Sequence, residues 1–324
     1  MKATENGKKL KPQRAQRHKL LLSRENTEDT EKSKIKPWDE ITTKSWKEFC
    51  DYCNKQQGST IPQIYEGKVI FRGHAHSCWE LVPSFLRMKN ISSTNIKFFE
   101  EKLIDKFIDK WLPVPNEHIG SYVKHNLYIY ILPIMQHYGI KTRLLDWTSD
   151  WRVAACFAVE GDKEDIQHDN FDGAVWCIYQ EQIESKLKNK CNDYERITGY
   201  KGIPSINRCN TNSKQECQSC IFFRDIAPTD LRMMAQSSIF TYYLDNITDH
   251  SECIRKILGN DTKKYFKKII IPAKLKPDFR NKLQSVMVTK DKIFPEIKAE
   301  WFESTYKDTY KELLEQISNK NNSL

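Results

Sequence analysis

No stretch of this 324-residue chain approaches the roughly 18 consecutive apolar residues of a membrane-spanning helix. The only early apolar run, Leu20-Leu21-Leu22, is too short for the core of a secretory signal. Also missing are a Walker-type phosphate loop and a Gly-rich dinucleotide fingerprint, which sets aside the commonest nucleotide-binding designs. There is no oxyanion-hole motif beside the cysteines and no internal repeat. The chain reads as soluble and cytoplasmic, with no membrane partner. Ten Cys in a chain this long, without a secretory signal, argue for reduced thiols rather than a disulfide framework.

What is present begins with charge. Residues 1–36 carry 11 Lys+Arg against 5 Asp+Glu, so this segment holds +6 of the chain's net +9. It is expected to be a basic flexible tail, which composition alone makes a solvated arm before it makes a nucleic-acid arm. The folded domain is expected over 37–318, with a disordered tail at 319–324. Eight Trp, 14 Tyr and 15 Phe supply a sizeable core.

Periodicity then predicts the elements. Trp46, Phe49 and Cys50 share one face of a helix over Thr43–Tyr52. Val69 to Gly73 reads as a strand ending at a glycine turn, and Pro83-Ser84 opens a short helix. Ile96, Phe99, Leu103, Phe107 and Trp111 form a helical stripe. A second long helix, about Tyr122–Tyr138, contains Pro133 and stops at Gly139. Leu144–Thr148 is extended and Asp150–Val159 helical. Strands follow at Ala174–Tyr179, Ile239–Leu244 and Lys268–Ile271. A helix over Pro277–Leu283, an edge strand at Val286–Thr289 and a helix over Trp301–Ile317 complete the list. The irregular interleaving predicts α+β: a mixed, mainly antiparallel central sheet flanked by helices. About 185–225 reads as an insertion, because it has few periodic apolar positions.

The stretch Gln136–Ala158 is the most unusual. It places His137, Thr142, Arg143, Asp146, Thr148 and Ser149 between an apolar run and a small-residue helix. Polar groups buried there must find partners or destabilise by about 1–3 kcal/mol each. The segment is therefore either a bracing network or the wall of a site. In the bracing reading, Arg72 pairs with Asp146 or a C-terminal carboxylate, Arg143 and Asp146 brace locally, His137 serves a helix end, and Thr148 or Ser149 caps the Asp150 helix. In the other, these residues hold a ligand.

Phe71-Arg72-Gly73, with Trp79, Leu81, Pro83-Ser84 and Arg87, resembles the opening of the FRG domain family. Gln136-His137-Tyr138-Gly139 followed by Thr142-Arg143-Leu144-Leu145-Asp146-Trp147-Thr148 resembles its central signature. Arg232, Ala235-Gln236 and Phe240-Thr241 are similar to a third block, and Ile293-Phe294-Pro295-Glu296 to a last one. The likeness spans about 65–305. Two departures stand out. Ser237-Ser238 follows Gln236 where the family has glycine, and Val286-Met287 stands where it has Gly-Ile.

The order of these blocks also resembles the Arg–Ser–Glu layout of NAD-using ADP-ribosyltransferases. The resemblance implies a possible ADP-ribosyltransferase-like fold and NAD as substrate. It implies an ADP-ribosyltransferase or NAD glycohydrolase, acting as a toxin or defence effector on a protein or nucleic-acid acceptor. Arg72 would hold a phosphate or ribose oxygen. Ser149 and Thr148 would bond the nicotinamide ribose. Glu296, or alternatively Glu300, would stabilise the positive charge that builds as nicotinamide leaves. Gln136, His137, Thr142, Arg143, Asp146 and His74 would complete the ligand site. Two readings stand beside it. One is a non-enzymatic module binding a nucleotide or nucleic acid. The other is a metal-dependent hydrolase or nuclease built on His74, His76, His137 and Asp146. A structural zinc on Cys191, Cys209, Cys217 and Cys220 is not the favoured reading, because the spacing of the first three is irregular.

Overall fold

The computed structural model describes residues 38–57, 68–87, 96–111, 128–137, 139–160, 168–192, 220–225, 231–243 and 249–295, together with Glu312 and Glu315. Its strands are β1 (Asp39–Thr42), β2 (Val69–His74), β3 (Leu145–Thr148), β4 (Gly173–Tyr179), β5 (Phe222–Asp225), β6 (Ser238–Tyr242) and β7 (Phe266–Ile271). They form one seven-stranded sheet in the order β1-β7-β4-β2-β3-β6-β5. Only β1 and β7 run parallel; every other neighbouring pair is antiparallel. The fold is α+β, as the element pattern predicts.

The helices are α1 (Trp46–Gln57), α2 (Ile96–Trp111), α3 (Tyr128–His137), α4 (Trp151–Glu160) and α5 (Gln180–Lys190). They continue with α6 (Leu231–Gln236), α7 (His250–Leu258), α8 (Thr262–Tyr265), α9 (Lys276–Ser285) and α10 (Lys290–Ile293). A 3-10 turn spans Ser84–Arg87.

Strand β4 and the first half of β2 are apolar on both faces, so helices cover the sheet on both sides. Val69 and Phe71 of β2, with Val175 and Cys177 of β4, join α1, α4 and α9 through Phe49, Ala154, Ala155, Phe279 and Leu283. Ile70, Trp176 and Ile178 join α2, α3, α5 and α7 through Phe99, Leu103, Ile131, Ile183 and Ile254.

Helix α4 lies almost on the sheet, and two glycines explain how. A Cβ on Gly73 would sit 1.9 Å from the Ala154 carbonyl oxygen, and one on Gly173 would sit 2.5 Å from that of Ala158. The small Ala154 and Ala158 of α4 allow this close approach, against strand glycines. Gly73 is therefore not a turn. The strand continues through it to His74, and the glycine is there for helix contact.

One further expectation is corrected. Val286–Thr289 is not an edge strand, although Val286, Val288 and Thr289 are β-branched. The amides of Val286 and Val288 donate to Leu283 O and that of Met287 to Gln284 O, closing the end of α9 with Met287 at φ +60°. The 185–225 segment opens inside α5, which buries Ile183 and Leu187, and ends with β5 pairing to β6. Residues 193–219 lie outside the described residues, as do the tails at 1–36 and 319–324 and most of the expected Trp301–Ile317 helix, of which Glu312 and Glu315 are helical.

Candidate functional site

Helix α3 ends at His137 because Gly139 takes φ +83°, with its amide bonded to Gln136 O and that of Ile140 to Met135 O. The chain then turns back, so that Gln136 faces the strand that follows. Gln136 Nε2 donates to Asp146 Oδ1 at 2.5 Å. Thr142 Oγ1 donates to Gln136 Oε1 and accepts from the Leu144 amide at 3.2 Å. The Phe85 amide donates to Thr142 O, which ties the Ser84–Arg87 turn to the same loop.

Arg72 enters from β2. Its Nη1 donates to Asp146 O at 2.6 Å and lies 3.8 Å from Asp146 Oδ2. Its Nε donates to His74 Nε2 at 3.0 Å. The other ring nitrogen, Nδ1, faces the Trp176 indole N–H at 3.3 Å, and the ring is also hydrogen-bonded to the Trp79 backbone. A neutral imidazole has one in-plane lone pair. Arg72 Nε and the Trp176 indole N–H each point at one of its two ring nitrogens, and the shorter of the two contacts comes from the charged donor. Burial, followed by the Arg72 charge, holds His74 well below the usual histidine range and keeps it neutral.

More positive charge surrounds this network. Burial pushes Arg72 down to about 10, with Asp146 opposing and the Arg87 charge adding to the shift. Arg87 is itself lowered by burial and partly restored by Asp146. Lys141 is lowered by burial and then by Arg87. Among the described residues, Asp146, which stays partly exposed, is the carboxylate whose charge acts on both Arg72 and Arg87.

The bracing residues are different ones. Arg143 does not pair with Asp146. Its Nε donates to Glu100 at 2.8 and 3.0 Å, its Nη2 also bonds Glu100, and its Nη1 donates to Tyr243 O at 3.2 Å. Both charges are buried, so Arg143 is a strut between α2 and the sheet.

Thr148 Oγ1 accepts from the Asp150 amide at 3.0 Å and Asp150 Oδ1 from the Arg152 amide at 2.9 Å, so these two side chains start α4. Ser149 is exposed; its amide donates to Ser237 O and its carbonyl accepts from Gln57. Among the described residues no hydrogen bond joins Ser149 to Arg72. The His137 side chain, Glu296 and Glu300 lie outside the described residues. The two last blocks do meet: Gln236 Nε2 donates to Ile293 O at 2.9 Å, and Arg232 lies over the Phe294 ring at 5.5 Å. Phe294 also packs on Phe157, beside Gly73.

Cys191 and Cys220 are buried in the apolar layer, while Cys209 and Cys217 lie outside the described residues. Among the described residues, no group of three or more His, Cys, Asp or Glu side chains is placed to hold a metal. His74 already gives its lone pair to Arg72, and His76 stacks on Trp79 at 4.5 Å. No described helix is long and apolar enough to cross a membrane.

Several residues of this region escape a reading of the sequence. Glu100 carries a usable signal, since it stands on the apolar stripe between Ile96 and Leu103. His250 carries none. It is fully buried, its Nδ1 lies 3.0 Å from Thr241 Oγ1, and Trp147 Nε1 donates to that same hydroxyl at 2.9 Å. Burial and then the Arg72 charge lower it to about 3. Two buried lysines fix the loop after β2: Lys268 Nζ donates to Ser77 O at 2.6 Å and Lys276 Nζ to Ala75 O at 2.8 Å.

No curated protein and no solved structure matches the chain. The blocks around Arg232 and Ile293 fall outside the family match, which takes in β2, the 3-10 turn, α2, α3, β3 and α4. That match, to the FRG domain, spans residues 67–167 and covers both the Phe71-Arg72-Gly73 opening and the Gln136–Thr148 signature, so the chain carries an FRG domain.

Proposed function

We propose that this FRG domain binds NAD at the Arg72–Asp146 site and transfers or hydrolyses its ADP-ribose. One observation carries the reading: Arg72 is held in place between Asp146 O and His74 Nε2, and the Arg87 charge acts on both Arg72 and Lys141. Such a grouping of cations suits the two negative charges of a pyrophosphate. Arg72 is already oriented by His74 Nε2 and Asp146 O, so little side-chain freedom is lost when a ligand arrives. Thr142, Gln136 and Asp146 offer polar atoms for the ribose hydroxyls. Glu296 is the proposed acid beside the ribose carbon, with Glu300 as the alternative, and Ser149 the proposed contact to the nicotinamide ribose. The acceptor would be a protein or nucleic acid, and the setting a toxin or defence role.

A second reading is a module that binds a nucleotide without turning it over. It is favoured by the degree to which Gln136, Thr142, Asp146 and Arg72 already satisfy one another. Labelled NAD separates the two. Binding and nicotinamide release by the native protein, with release lost but binding kept in Glu296→Gln, support the transferase or glycohydrolase. Binding without release supports the module. An Arg72→Ala variant that binds NAD as tightly as the native protein removes the site altogether.

A further inference from the structure

We propose that Trp79 is the stacking platform for a nucleobase of the ligand, a refinement that rests on the nucleotide reading above. Trp79 is 39% exposed, whereas the other large exposed apolar residues described, Leu231, Met234, Val286 and Met287, stand on α6 and at the end of α9. An exposed indole beside a cationic site is a familiar need of base recognition, because every base offers a π-face.

The ring is also rigidly built. His76 stacks on it with centroids 4.5 Å apart and planes 25° from parallel, and Phe171 backs His76 at 4.5 Å. The Trp79 amide bonds His76 O, and the Ser77 amide bonds Asp172 O. The two buried lysines hold the carbonyls of Ala75 and Ser77. A surface tryptophan that only shields apolar neighbours needs no such scaffold. One that must offer a face at a fixed place does, because ordering it in advance lowers the entropic cost of binding.

Its position fits the same ligand. His74 lies edge-on to Trp79 with centroids 6.1 Å apart, and the same imidazole accepts from Arg72. One ring therefore separates the aromatic platform from the guanidinium, the order in which a nucleotide carries base, sugar and phosphate. His74 becomes a positioning residue that sets both contacts at once.

The test uses the full chain and labelled NAD in equilibrium dialysis. Trp79→Ala is expected to weaken binding by about ten-fold, the effect of losing one base–aromatic stack. Trp79→Phe is expected to stay within about two-fold of the native protein, since a smaller ring still stacks. Native-like affinity in Trp79→Ala overturns the inference while leaving the nucleotide reading intact. So does a loss in Trp79→Phe as large as in Trp79→Ala, because the indole would then matter for its packing alone. Failure of the native protein to bind NAD removes the nucleotide reading and this refinement with it.

Discussion

Two arginines of the FRG domain meet carboxylates, and the two meetings are unlike. Arg143 and Glu100 are sealed, with side-chain exposures of 3% and 2%. Arg72 and Asp146 are open, at 17% and 42%, and touch mainly through a backbone carbonyl. In the sealed pair Nε, Nη1 and Nη2 of Arg143 all meet acceptors inside the fold. In the open pair a carboxylate edge remains toward solvent, beside the exposed Arg87. The contrast separates a strut from a site, although both arginines sit in the family's signature blocks.

Breaking the strut gives the largest expected effect. Arg143→Met leaves Glu100 buried without its partner and is expected to destabilise by about 3–5 kcal/mol in urea unfolding. Arg72→Met is expected to lower stability by only about 1 kcal/mol, because its partner is exposed and solvent screens the pair. Equal losses in the two variants would abolish the distinction. Next in size is Gly73→Ala, whose new Cβ would strike the Ala154 carbonyl. It is expected to cost about 1–3 kcal/mol by forcing α4 off the sheet, read as a lowered melting temperature. Retention of native stability would mean that α4 does not need its close seat.

The buried histidines beside the open pair also predict a pH dependence. His250 is held to about 3 by burial and by the Arg72 charge, far below its unfolded value. Between roughly pH 6.5 and 3 the unfolded chain therefore binds a proton that the folded chain refuses. The stability this neutral histidine contributes is present above pH 6.5 and lost as pH falls through that window. The slope is about 1.4 kcal/mol per pH unit for one proton. His74 adds a loss of the same sign. His250→Gln is expected to remove its share of the slope in urea titrations at several pH values. An unchanged slope would mean that His250 is not the group refusing the proton.

How much of this was legible in the sequence follows from the range of each interaction. The signature blocks, the helix stop at Gly139 and the small-residue helix are local patterns, and the structure keeps them. Edge strands β1 and β5 were missed because four residues each, Asp39–Thr42 and Phe222–Asp225, become strands only through neighbours far away in the chain. Glu100 was readable in principle as an acid on an apolar stripe. His250, Lys268 and Lys276 were not, because their roles depend on atoms about 10 to 200 residues distant. Within the open site, Arg72, Gln136, Thr142 and Asp146 were legible as polar residues out of place. Which arginine was strut and which was site could not be read without their partners.

The smallest expected effect concerns the two departures from the family pattern. Among the described residues, Ser237 and Met287 are the non-glycine positions with positive φ, at +47° and +60°. Ser237 stands where the family resemblance has glycine, whereas Met287 stands where it has the isoleucine of Gly-Ile, and Val286, at the glycine place, has φ −104°. At Ser237 a left-handed turn is therefore held without a glycine, with a strain of about 1 kcal/mol. Ser237→Gly relieves that strain but loosens the unfolded chain, so the net gain is expected to be about 0.5 kcal/mol. The position matters to the comparison, because Ser237 O accepts the Ser149 amide and Ser237 joins α6 to β6 on the side of the sheet that carries β3. If the turn is only a connection, Ser237→Gly raises the unfolding midpoint and leaves NAD affinity unchanged. If its strain sets the placement of Ser149, the same substitution changes nicotinamide release, and the boundary of the open site extends from Arg72 to the far end of β3.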